Sequence, residues 1–174
     1  MRVTGKGETP WSFFSILINL LGSHAKAWNY EGEQLLRASS LDYTIVRPGV
    51  MGTASELAAD SLALADDGGD LKVSAIPHAT VAALCVEALD APGAARATLT
   101  AMCVEPGDGA ASWAPLLAAV RPDRRAFRDD LLAEHYKAVR VGAAALALVG
   151  AAVLSGIVAA AKAVAGAVAA LLLR

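Results

Sequence analysis

Hydrophobic and polar positions divide this chain into two materials. Up to about residue 139, short apolar runs alternate with glycine, proline and charged residues; beyond it apolar residues run almost unbroken. In the first part Gly5, Gly7 and Pro10 mark an opening loop, and a helix is expected to start near Ser12, because a proline tolerates the first helical turn. Gly22 and Ser23 interrupt it, and HAKAWNYEGEQLLRASS predicts a second helix that stops near Ser40. LDYTIVRPG follows, a β-favouring run closed by Pro48 and Gly49, which reads as a buried parallel strand over residues 43–47.

Residues 54–64 read as an Ala-rich helix, and DDGGD at 66–70 as a solvated turn. An extended stretch over 71–76 leads to Pro77, which opens a helix at about 79–89. A strand is expected at 97–104, then a short helix from an N-cap at Ser112 through Val120, then a basic junction from Arg121 to Arg128.

The tail carries 21 consecutive uncharged residues, 141–161, enough to cross a hydrocarbon core of about 30 Å at about 1.5 Å per residue. Nine of these are Ala and three are Gly, so insertion rests on eight aliphatic side chains. Lys162 then precedes an apolar run, 163–173, too short to span again. One span with an interfacial extension is expected; the alternative is a soluble Ala-rich helix docked on the domain. Lys137 and Arg140, with the arginines of the junction, outweigh Lys162 and Arg174, which sets the soluble segment on the cytoplasmic or organelle-interior, stroma-like side. The opening MRVTGKGETPWS has no charged-then-apolar signal pattern.

Composition narrows the chemistry. A net charge of −2 provides no global field for nucleic acid, so none is expected as a partner. Cys85 and Cys103 lack metal-ligand spacing and read as small apolar core residues; no metal site is expected. His24, His78 and His135 are scattered, and there is no GxSxG elbow and no YxxxK pair. Trp11 and Trp28 read as packing residues.

The stretch EGEQLLRASSLDYTIVRPGVMG, residues 31–52, resembles the "E..LR.SGLDYTIVRPG" segment of the atypical short-chain dehydrogenase/reductases, the NmrA-like NAD(P)-binding proteins. IPHATVAALCVEAL, from Ile76, is similar to a helix of the same family, with His78 and Thr80 where relatives carry Arg and Asp, and the opening RVTGKG resembles another of its loops. The resemblance covers about residues 2–120.

It implies an α/β fold: a partial Rossmann-like NAD(P)-binding domain lacking the N-terminal half, in residues 1–120, followed by the basic junction of 121–140 and an apolar membrane tail of 141–174. It further implies that Arg47, Pro48 and Gly49 approach the nicotinamide end of the cofactor. The place where relatives often carry a Lys falls on Asn29, and Lys26, three residues away on the same helical face, is the substitute; both are expected at the cofactor, and no catalytic residue is assigned. Against that stands the plainer reading of a solvated Lys26 beside a core-packed Tyr30.

No glycine-rich strand-turn-helix has a counterpart, so the backbone N–H groups that hold a pyrophosphate at a helix N-terminus are not accounted for. NAD(P) binding by this chain alone is therefore expected to be weak or absent. Two functions stay open: an oxidoreductase-related NAD(P)-binding protein, of which this is a portion, and a non-catalytic, membrane-anchored binding or assembly protein that uses the fold remnant as an interaction surface. The partners expected are a membrane and a protein that completes the sheet. The resemblance extends to plastid and other organellar members, so a plastid membrane is among the addresses it implies.

Overall fold

The computed structural model describes residues 7–52 and 58–172. Helix α1, Phe13–Leu21, starts where Ser12 caps it: the hydroxyl accepts from the Ser15 N–H at 3.2 Å. Ser23 and His24 both adopt left-handed backbone, turning the chain into α2, Ala25–Ala38. Strand β1, Thr44–Pro48, and β2, Val50–Gly52, follow, then β3, Leu62–Ala65, and β4, Ala75–Pro77. The remaining elements are α3, His78–Ala88, β5, Ala97–Cys103, α4, Trp113–Ala118, and α5, Leu131–Leu172.

Strand β5 is the axis of the domain. It pairs in parallel with β1, Thr44 opposite Ala97 and Pro48 opposite Ala101, and antiparallel with β3, Leu62 opposite Cys103. Strands β2 and β4 form a separate parallel pair. All of β5 from Ala97 to Met102 is buried, as expected of a strand covered on both faces. Leu62, Ile76, Leu84, Leu99, Trp113 and Leu117 make the main core around it. The Trp113 indole N–H is satisfied by the Thr80 carbonyl at 3.0 Å.

The Ala-rich helix read over 54–64 is not found in its described part, while residues 54–57 lie outside the described residues. Residues 58–61 are irregular, and 62–65 form β3. The edge of β5 offers Leu62 a paired backbone and a buried position, and this outweighs the helix propensity of LALA. Asp60 turns the chain in left-handed conformation, its carbonyl accepting from the amides of Gly107 and Gly109. Of the extended 71–76 stretch, only its end enters a strand, and Pro77 is the N-cap of α3 instead of its first helical residue.

Helix α5 is one continuous rod of 42 residues that passes through Lys162 without a break. Its first turns dock on the domain through Leu131, His135, Ala138 and Val139, all buried. Beyond Arg140 it runs on past the sheet with only α1 beside its first turns, and no residue of its most apolar stretch is buried. This is one helix long and apolar enough to cross a membrane. Two further expectations change: Cys85 is exposed, and so are Trp11 and Trp28, because the faces carrying them are turned away from the core.

Candidate functional site

The end of β1 carries a buried charge network. Arg47 lies at the C-terminal part of the strand with its side chain turned back over α2. Its Nε donates to Glu33 Oε1 at 2.9 Å and its Nη2 to Glu33 Oε2 at 2.5 Å. Nη1 donates to Glu8 Oε1 at 2.8 Å. Glu33 also accepts from Arg37 Nη2 at 2.8 Å, one helical turn along α2, and Glu8 accepts from Arg125 at 2.6 Å. Burial works against the Arg47 charge, but Glu33 and Glu8 outweigh it and hold its pKa above the ordinary value. Burial likewise pushes the Glu8 carboxyl up, and hydrogen bonds from Arg125 and Arg47 more than reverse this.

The segment after α4 closes over this network. Phe127 is sandwiched between guanidinium groups, with Arg37 3.7 Å and Arg125 4.1 Å from its ring centroid. Asp123 accepts from the Thr98 amide at 2.8 Å, the Thr98 hydroxyl at 2.6 Å and the Tyr43 hydroxyl at 3.2 Å, tying the segment to β5 and β1. Asp67 accepts from the backbone amides of Arg124 and Arg125, and Asp66 from that of Arg121. The 66–70 turn is thus a dock for the basic junction as well as a turn. Only the basic character of the junction was visible in the sequence; nothing in the pattern marked Glu8, Asp123 or Phe127 as its partners.

The other expected site residues do not gather around Arg47. Pro48 closes β1. Gly49 donates its amide to the Ala101 carbonyl, and the place a β-carbon would occupy is filled by the Ser74 carbonyl oxygen and Met102 Sδ. Asn29 is exposed on α2. Lys26 is buried, contrary to the solvated reading, because its face of α2 is covered by α1 and α5. Its Nζ donates to Ser15 Oγ at 3.0 Å, and burial lowers its pKa. Beside it Asn19 Oδ1 accepts from the amides of Lys26 and Ala27, and its Nδ2 lies 2.9 Å from His135 Nδ1. The other ring nitrogen of His135 lies 2.6 Å from the Gly7 carbonyl. Tyr30 is core-packed as expected, its hydroxyl donating to the Arg128 carbonyl.

A small sheet flanked by helices, with an arginine-carboxylate lock at one strand end and a long apolar helix attached, makes this a small mixed α/β domain. The sequence model of the NAD(P)H-binding family matches residues 3–92, just over half of the chain, and the chain belongs to that family. No curated protein matches it. Strand β5 lies beyond the matched residues and is joined to the domain by its pairing with β1.

The residues expected at the cofactor do not fit a dinucleotide. Arg47 faces two carboxylates, the space at Gly49 is filled by protein atoms, Lys26 points into the α1, α2 and α5 junction, and Asn29 stands apart on the surface. A nicotinamide end would need these positions to face one open space, and they do not converge on one.

Proposed function

We propose that this chain is an NmrA-like, atypical short-chain dehydrogenase/reductase-type member of the NAD(P)H-binding family, tethered to a membrane by α5. In this reading it serves as a binding or assembly scaffold related to oxidoreductases, and its own capture of NAD(P) is weak. The observation that carries it is the commitment of Arg47 to Glu33 and Glu8, which pairs the cation at the strand end with the protein's own carboxylates. The exposed cations Lys137 and Arg140, at the start of the apolar stretch, favour a domain on the cytoplasmic or stroma-like side.

A cofactor-using reading is favoured by one feature: among the described residues, β1 has a strand neighbour only on its β5 side. A partner strand on the other side would complete the sheet. Titrating NADPH into the full-length chain in lipid nanodiscs, followed by nicotinamide fluorescence, separates the two. The scaffold reading expects no saturation up to about 1 mM. Saturable binding in the micromolar range with no other protein present contradicts it.

A further inference from the structure

Helix α1 is built inside out. Its polar residues Ser15 and Asn19 are buried against α2 and α5, while four of its apolar residues, Phe13, Ile18, Leu20 and Leu21, are exposed, Phe13 by 66% and Leu21 by 77%. A helix at a water-facing surface has the opposite arrangement. There is no charged residue between Glu8 and His24. The polar groups of α1 are answered within the protein, Ser12 capping Ser15, Ser15 accepting from Lys26, and Asn19 bonding across to α2 and α5. That is the condition for placing backbone and polar side chains where no water is available.

The course of α1 along α5 says what covers its outer face. The two run antiparallel: Asn19 meets His135, and towards its start α1 passes Gly142, whose missing β-carbon makes room for Ile16. Phe13, Ile16 and Leu17 line, with Gly142, Ala145 and Val149, an almost wholly apolar hollow of about 210 Å³. Those α5 residues belong to the uncharged stretch that would lie in the bilayer. If α5 crosses a membrane, the first half of α1 lies at the same depth. Around the level where α5 leaves the domain stand Trp28 and Tyr136, edge to face at 6.5 Å, with the exposed cations Lys137 and Arg140. Aromatic rings and cations at one level mark a headgroup region.

We propose that α1 is a shallow re-entrant element, embedded in the lipid beside α5 with its apolar face against acyl chains, so that the domain is seated in the bilayer by two helices and not held on a single tether. The proposal rests on the reading of α5 as a membrane span, and its test separates the two. In the full chain with Cys85→Ala and Cys103→Ala, one cysteine is introduced at a time by Phe13→Cys on α1, Leu154→Cys in the middle of the α5 stretch, or Leu89→Cys. Leu89, 83% exposed just after α3, is the aqueous reference. Each variant is labelled with an environment-sensitive fluorophore and reconstituted into phosphatidylcholine vesicles.

Quenching of both the Phe13 and Leu154 labels by spin-labelled lipid, with protection from aqueous iodide, is expected, and the reverse for Leu89. A Leu154 label in lipid with a Phe13 label open to iodide overturns the α1 proposal and leaves the span intact. A Phe13 label shielded from both quenchers means that protein, such as a second copy of this chain, covers the face, and also overturns it. A Leu154 label open to iodide removes the span and the proposal together.

Discussion

Glu33 on α2 and Arg47 on β1, fourteen positions apart, meet side by side, with two N–H groups of the guanidinium on the two carboxylate oxygens at 2.9 and 2.5 Å. The geometry is the bidentate fork that suits arginine and that lysine cannot reproduce. It fixes the helix to the strand and, through Glu8 and Arg125, holds the segment that precedes α5. The sequence motif that points to a cofactor is, in this chain, a structural lock.

Removing one side of such a lock should be more harmful than removing both. Arg47→Met removes the cation that Glu33 and Glu8 share and leaves them to Arg37 and Arg125, and a loss of about 2–3 kcal/mol in unfolding free energy is expected. Arg47→Met combined with Glu33→Leu should recover a large part of that loss. Urea unfolding of the full chain in detergent measures both; a loss below about 1 kcal/mol for the single variant would show that the pair is not holding the fold.

Asp123 should anchor the junction. Asp123→Ala strands the Thr98 amide and hydroxyl and the Tyr43 hydroxyl, and a loss of about 2 kcal/mol is expected. The same variant should speed hydrogen exchange at the Thr98 amide. Unchanged exchange there would mean that the bond contributes no protection.

Acid should loosen the lock through Glu8. Its carboxyl titrates below the ordinary value in the folded protein, so the unfolded chain takes up a proton first as pH falls. The stability that Glu8 contributes is complete above its ordinary pKa and is lost as pH drops through the lower, folded value. Glu8→Gln should therefore flatten the acid limb of a stability-pH curve; an unaltered limb would assign that sensitivity to other carboxyls.

Lys26 has the opposite effect at alkaline pH. Burial depresses its pKa, so the folded state releases this proton before the unfolded chain does. Between the two values the unfolded state binds more protons, and stability should rise with pH. Lys26→Met is expected to abolish that rise, measured as thermal midpoint against pH between neutrality and about pH 10.

Local pattern made much of this fold legible. The breaks at Gly22 and Pro48, the β-rich TIVR and the helix after Pro77 all lie close to where they were expected, because each is set by neighbouring residues. The helix read over 54–64 failed in its described part because β3 owes its form to β5, some forty residues distant in sequence. The same limit governed the site. Glu33 and Arg47 were visible as members of one motif, but their pairing, and the closure by Asp123, Arg125 and Phe127, are contacts between distant segments. Lys26 read as solvated because the face that covers it belongs to α1 and to α5, more than a hundred positions away.

The end of β1 is occupied by the protein's own ion pairs, and on the proposed reading a dinucleotide does not displace them. Hydrogen-deuterium exchange of the full chain in nanodiscs, with and without about 1 mM NADPH, tests it at the residues concerned. Exchange over residues 44–49 should be the same in both conditions. Slower exchange there on adding NADPH, reversed on its removal, would contradict it.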